Sequence, residues 1–282
     1  MGRPGPRSGL RARARRGRAV SPLGALGPEG ARAPDLDRPL RVATYNIHKG
    51  VRGLAMAKRL EIHALKLGVH AFGADLVCLQ EVRSHHLGDA RRFSHPLLGW
   101  PGPQAEYLAP EGYHVAYRSN AITRGGEHGN ALLSRLPIQG VRQHDVSDHR
   151  FEQRGLLHVE VDWHGQPLHV LVLHLGLFHG SRVRQVQQLG QYLADEVPAQ
   201  ARVLVAGDFN DWREQLDRPM RELGLAREPQ GLHRTFPARA PLFALDRVYT
   251  RGLRASQAHV PRGGPWVRMS DHLPLLVDLH PA

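Results

Sequence analysis

Five short apolar runs in this chain end in side chains able to hold a cation or a phosphate. Val42-Ala-Thr-Tyr-Asn46-Ile-His48 carries Asn46 and His48, which are two apart and so face one side of an extended chain. Leu76 to Val82 carries Glu81, an oxygen ligand suited to a hard cation; a surface ion pair with Arg83 is the plainer alternative. Leu171 to Leu175 contains His174, either a hydrogen-bonded core histidine or a phosphate ligand and proton donor. Val203 to Ala206 runs into Gly207-Asp208-Phe209-Asn210-Asp211. Gly-Asp is a common turn, yet Asp208 and Asn210 flank a Phe and again share a side. Met269-Ser270-Asp271-His272 leads into the last apolar run and sets a candidate metal ligand beside a candidate base.

Asp246 lies inside the apolar run Leu245 to Tyr249, where an unpaired carboxylate is costly. A hydrogen bond from His272 would relieve that cost and fix the tautomer of the ring. A salt bridge to Arg247 or Arg254 would also relieve it.

In order along the chain, seven segments resemble the endonuclease/exonuclease/phosphatase superfamily. They are Thr44-Tyr-Asn46, Leu79-Gln-Glu81-Val, Gly129-Asn130-Ala-Leu-Leu-Ser134, His174-Leu, Gly207-Asp208-Phe-Asn210, Leu245-Asp246-Arg and Ser270-Asp271-His272. The strings Tyr45 to Gly50 and Gly207 to Trp212 resemble an uncharacterised bacterial branch of it. The resemblance implies an α/β fold, a four-layer α/β/β/α sandwich of two packed, mixed, mainly antiparallel sheets with the site at one end. It implies a phosphoesterase, nuclease-like and acting on phosphodiesters, dependent on Mg²⁺ with Mn²⁺ as a substitute. By match, Glu81 is the main metal ligand, with Asn46 and Asp271 assisting. Asp246 and His272 match the pair that activates water, and His174, Asp208 and Asn210 match groups that bind the scissile phosphate. His48, Arg83, His128 and Asn130 are the substrate-side candidates. His48 stands where abasic-site endonucleases have an Asp, and His128 lies near where pancreatic deoxyribonuclease has a Glu. In contrast, Gln80-Glu-Val-Arg83-Ser-His85-His86-Leu is similar to the deoxyribonuclease, whose equivalent Arg enters DNA.

These residues need strands to carry them. β-like runs are expected at Leu40–Ile47, Asp75–Leu79, Tyr113–Tyr117, Asn130–Ser134, Val203–Ala206, Leu245–Tyr249 and Leu273–Leu279, with a hairpin from Leu156–Trp163 and Leu168–Leu175. Helical spacing is expected over Leu54–Phe72 and Val183–Glu196, the second stopped by Pro198.

The 282 residues, 41% hydrophobic and 23% charged, suit one globular domain at 39–282. One cysteine excludes a disulfide framework or a cysteine-rich zinc module. No apolar run reaches the roughly 20 residues of a membrane span, so a cytoplasmic monomer is expected. Residues 1–38, rich in Gly, Pro, Arg and Ala, read as a disordered tail that holds half of the net charge of +12. Of 38 basic residues only Lys49, Lys58 and Lys66 are Lys, a bias that a GC-rich genome explains. Nucleic acid is one candidate substrate; a phospholipid or phosphoinositide is the alternative. A non-catalytic binding module is the second alternative, disfavoured by the intact set Glu81, Asp208, Asn210, Asp246, Asp271 and His272.

Overall fold

The computed structural model describes residues 1–2, 38–53, 57–123, 125–149 and 151–282; the expected tail lies almost wholly outside them. The described residues from 38 to 282 fall in one compact unit. In chain order it begins with β1 (Leu40–Asn46), a tight turn at His48–Gly50, β2 (Val51–Arg52), β3 (Arg59–Leu60), α1 (Ile62–Ala71) and β4 (Leu76–Val82). The short helices α2 (Leu87–Arg92) and α3 (Gln104–Leu108) precede β5 (His114–Thr123), β6 (Gly126–Ser134) and β7 (Ile138–Asp145). Next come β8 (Gly155–Trp163), β9 (Gln166–His174), α4 (His179–Glu196), β10 (Arg202–Asp208), α5 (Asp217–Glu222) and β11 (Ala226–Arg227). The chain closes with β12 (Asp246–Arg251), β13 (Leu253–His259), α6 (Trp266–Met269) and β14 (Leu275–Pro281).

Two six-stranded sheets result, ordered β13-β14-β1-β4-β6-β5 and β11-β12-β10-β9-β8-β7. Each holds one parallel pair, β1 with β4 and β9 with β10, and the other pairings are antiparallel. Each parallel pair needs a crossover, which α1 and α4 supply.

The layer order follows from the period-two alternation of a strand. Val42, Cys78, Leu132, Val172 and Leu204 point into a core between the sheets. Their neighbours Ala43, Val77 and Leu133 pack outward on Ile62, Leu65 and Val69 of α1 and on Leu108 of α3. On the other side Leu171, Leu173, Val203 and Val205 pack on Val186, Leu189 and Leu193 of α4 and on Met220 of α5. Both faces of the central strands are therefore buried, which is why they read as continuous apolar runs. The molecule is the mixed α/β sandwich that the resemblance implied. Cys78 is buried and unbridged. Among the described residues no helix is long and apolar enough to cross a membrane.

The helix expected from Leu54 begins only at Ile62, because Val51–Arg52 pairs with Arg59–Leu60 as a small ribbon instead; residues 54–56 lie outside the described residues. α4 starts at His179, four residues before the expected Val183, through a polar first turn with no apolar period to announce it.

Candidate active site

Strand direction gathers the site. Asn46 ends β1, Glu81 is one residue from the end of β4, His174 ends β9 and Asp208 ends β10. Antiparallel neighbours enter where those parallel strands leave. Asp246 opens β12 opposite Asp208, and Asp271-His272 precede β14, whose Leu275 pairs with Thr44. The two sheets meet here through Asn46 Nδ2, which donates to Asp208 Oδ2 across 3.1 Å. This is the carboxyl-end crevice where open α/β sheets place ligands.

Two carboxylates facing each other on antiparallel strands repel, so Asp208 and Asp246 need donors. Asp246 Oδ2 accepts from Thr235 Oγ1 at 2.5 Å and from His272 Nδ1 at 2.8 Å. The ring of His272 then turns Nε2 toward Asp208 Oδ2, 3.6 Å away, while His174 Nε2 lies 3.5 Å from the same oxygen. Asp208 Oδ1 accepts from the Asn210 amide at 2.9 Å. Ser270 Oγ donates to the Asn46 carbonyl at 2.7 Å, which fixes the Asp271-His272 segment to β1.

Glu81 and Asn210 sit at φ +57° and +48°, left-handed positions that non-glycine residues rarely adopt. At Glu81 the cause is a bulge: pairing of β4 with β6 slips between Leu79 and Val82, which re-aims the side chain into the site. Its Oε2 is buried without an aligned hydrogen bond and faces Lys49 Nζ at 2.8 Å. Asp271 Oδ2 lies 3.1 Å from His48 Nδ1.

The two histidines are driven in opposite directions. Burial lowers His272, but Asp246 and then Asp208 outweigh it and push the imidazole up to about 10. Burial, with Arg154 adding to it, pulls His174 down to about 4 despite Asp208 and Glu81. Burial and Lys49 pull His128 to about 4 as well. Burial raises Glu81, yet Lys49, His174 and His48 hold it well below the usual carboxylate range. The carboxylates around His272 thus favour its charged form while burial favours the neutral form of His174, and titratable neighbours pushed apart in this way are the pattern of an acid–base site.

Among the described residues no three His, Cys, Asp or Glu side chains cluster as a closed metal cage. Glu81, Asn46 and Asp271 offer oxygen donors of the kind that a hard divalent cation takes. Glu81 Oε2 is buried without an aligned hydrogen bond, and a cation, here the Lys49 ammonium, faces it at 2.8 Å.

Asn46, Glu81, His174, Asp208, Asn210, Asp246, Asp271 and His272 thus come together, with His48 beside Asp271. Asn210 is there, but its amide nitrogen donates to the Leu175 carbonyl at 2.9 Å. Asn130 is not in the open site: fully buried, it donates to the Gly155 and Val172 carbonyls at 2.9 and 3.1 Å and stitches the two sheets. Arg83 is not an extended arm either, being nearly buried and paired with Asp89. Arg247 does not serve Asp246; it is fully buried and bonded to Asp211 at 2.9 Å. That pair, with Tyr249 and Asp217, braces the loop after β10 from behind. Lys49 and Thr235 were absent from the sequence-derived set. Lys49 stands inside the quoted Tyr45–Gly50 string and was the signal at hand; Thr235 has no local signal.

Comparison with known proteins bears on the family and the fold. A family model described as Endonuclease/Exonuclease/phosphatase family matches residues 43–272. The Escherichia coli K12 protein named "Uncharacterized protein YbhP" is 38% identical over 251 residues, covering 85% of this chain and 96% of that one. Among solved structures, an endonuclease/exonuclease/phosphatase from Beutenbergia cavernae superposes with a TM-score of 0.66 at 23% identity, over 87% of this chain and 72% of that one. The Bacteroides thetaiotaomicron mannosyl-6-phosphatase Bt3783 gives 0.65 at 18%, over 85% and 99%. D. rerio TDP2 complexed with a single-strand DNA product gives 0.60 at 18%, over 86% and 98%.

Proposed function

The chain belongs to the endonuclease/exonuclease/phosphatase family, and on that premise we propose that it is a divalent-metal-dependent phosphoesterase that cleaves phosphodiester bonds by in-line attack of water. Members of this family are hydrolases of phosphoesters and generally depend on a divalent metal. The observation that carries the proposal is Asp208 Oδ2 standing within 3.6 Å of both histidines, one of them oriented by Asp246.

In this reading Glu81, with Asn46 and Asp271, holds Mg²⁺, or Mn²⁺ in its place. When bound, the cation polarises a phosphoryl oxygen and offsets the charge on the leaving oxygen. Once a divalent cation shares the carboxylates that favour the charged ring, His272 Nε2 is free to take the proton of the attacking water, while Asp246 keeps Nδ1 protonated and the ring fixed. Asp208 orients that water and the two rings. His174 and the second N–H of Asn210 Nδ2, the one not given to the Leu175 carbonyl, offer donors to the phosphoryl oxygens as charge builds there.

A cleft of about 510 Å³ favours a second reading for the substrate. His128 and Arg154 line it, and the exposed Ile122, Phe151, Leu177 and Phe178 rim it. Apolar rims of this kind mark ligand or lipid contact, which suits a phospholipid or phosphoinositide. The neighbours span a mannosyl-6-phosphatase and a protein bound to a DNA product, so the fold admits unlike leaving groups.

The test is hydrolysis of bis-p-nitrophenyl phosphate, followed by plasmid DNA, RNA and phospholipid in parallel. Activity should vanish in EDTA and return with Mg²⁺ or Mn²⁺, and Glu81→Gln should need much more metal for half-maximal rate. Full turnover in chelator would contradict the metal's role.

A further inference from the structure

Lys49 has no part in the chemistry assigned above, yet its position is tightly determined. His48, Lys49 and Gly50 have φ of +46°, +61° and +67°, three successive left-handed residues. Two of them carry a Cβ that disfavours this conformation. The strain is held by Gln104, a fully buried side chain. Its Nε2 donates to the Lys49 carbonyl at 2.8 Å, and its Oε1 accepts from the Arg83 amide at 2.8 Å. The turn is thereby tied to the end of β4, where Glu81 lies. The visible result is an ammonium 2.8 Å from Glu81 Oε2, on the oxygen that a metal ion would take.

We propose that Lys49 is a resident counter-cation of Glu81, displaced when a divalent cation binds and then directed to the phosphoryl oxygens of the substrate. This rests on the metal-dependent reading above. One carboxylate oxygen cannot serve an ammonium and a divalent cation in the same place, and the two cations repel. Metal binding and Lys49 release are therefore one equilibrium. Until then Lys49 keeps a buried carboxylate paired, which an isolated Glu81 could not be without large cost. Once released, the ammonium swings on a flexible four-carbon stem. The adjoining cleft of about 550 Å³ is lined by Lys58, Arg83 and Arg92 together with Asp89, which pairs with Lys58 and Arg83; cations outnumber that carboxylate, so the cleft disfavours a further cation. An anionic substrate is the partner that can receive it. Metal and phosphate then favour each other, and by linkage the coupling is reciprocal.

The experiment is Mn²⁺ binding to the full-length protein, read from the paramagnetic resonance signal of free Mn²⁺, with and without inorganic phosphate. Wild type is compared with Lys49→Met and Lys49→Arg, and thermal unfolding checks that each is folded. Without phosphate, Lys49→Met should bind Mn²⁺ on the order of tenfold more tightly than wild type. Phosphate should tighten Mn²⁺ binding several-fold in wild type and Lys49→Arg, and far less in Lys49→Met. If Lys49→Met is unfolded, Lys49→Gln must show the same pattern. Mn²⁺ affinity unchanged or weakened by loss of the charge overturns the inference and leaves the metal reading standing. No Mn²⁺ binding in wild type or either variant overturns both.

Discussion

Asp246 Oδ2 takes hydrogen bonds from Thr235 and His272 at once, and that double role sets what its loss should do. A positioned base contributes about 10²–10⁴-fold, so His272→Ala should lower kcat by at least that with the fold intact by circular dichroism. Asp246→Asn should cost less, since the ring can still be held. It also removes the main influence raising His272, so the ascending limb of kcat/KM against pH should move to lower pH by about one unit or more. Because the two residues act as a unit, the double variant should resemble His272→Ala alone. Fully additive losses, or a limb that stays in place, would transfer the base role to His174. At this scale the sequence was legible where a polar side chain interrupts an apolar run, as at Asp246 and His174. Lys49 was not: its place depends on a left-handed turn held by Gln104, 55 residues away. Asn130 misled for the converse reason, since a polar residue on a buried strand can equally join two sheets, as this one does.

β9 and β10 run parallel with Leu173 beside Gly207 and His174 beside Asp208, so their spacing sets the distance from His174 to Asp208. A Cβ on Gly207 would stand 1.9 Å from the Leu173 carbonyl oxygen, a backbone atom that cannot turn aside. Gly207→Ala should therefore prise the pair apart, lower stability by about 1–3 kcal/mol or more and reduce turnover together with it. Gly140, on the edge strand β7, has open space where its Cβ would go, and Gly140→Ala should stay within about 0.5 kcal/mol. Urea unfolding of both variants gives the comparison, and equal losses would show that the β9–β10 approach is not what Gly207 protects. The same contrast explains which elements were legible. Central strands, buried on both faces, announce themselves as apolar runs. β7 and β13 lie at sheet edges, carry largely polar side chains about half of which are exposed, and lack a signal because edges are kept polar against mispairing. The short helices α2, α3 and α5 have too few turns to show a period.

Across the whole molecule, burial has trapped several imidazoles in the neutral form, and this fixes the sign of the acid response. His158 on β8 bonds Tyr192 of α4 at 2.9 Å and His169 of β9 at 3.0 Å, fastening the helix layer to its sheet. Burial, helped by His169, lowers it from 6.5 to about 4. A depressed group gives its full stabilisation above the unfolded value, and loses it as pH falls from about 6.5 toward 4, because the unfolded chain takes up the proton first. His174 and His128 act in the same window. His272, raised to about 10, has the opposite sign. Its contribution is complete below about 6.5 and is lost as pH rises toward 10, so it adds nothing to the acid slope. His158→Gln keeps polar atoms near Tyr192 but removes the titration. At pH 7.5 it should be less stable than wild type by about 1 kcal/mol for the imperfect hydrogen bonds. As pH falls from 6.5 to 4 that deficit should shrink by on the order of 1 kcal/mol, while wild type keeps losing ground. Urea midpoints measured at half-unit pH steps would show the two curves converging. A deficit that stays constant to pH 4 would mean that His158 carries its proton in the folded state, and that the seam between α4 and the sheet is wet rather than closed.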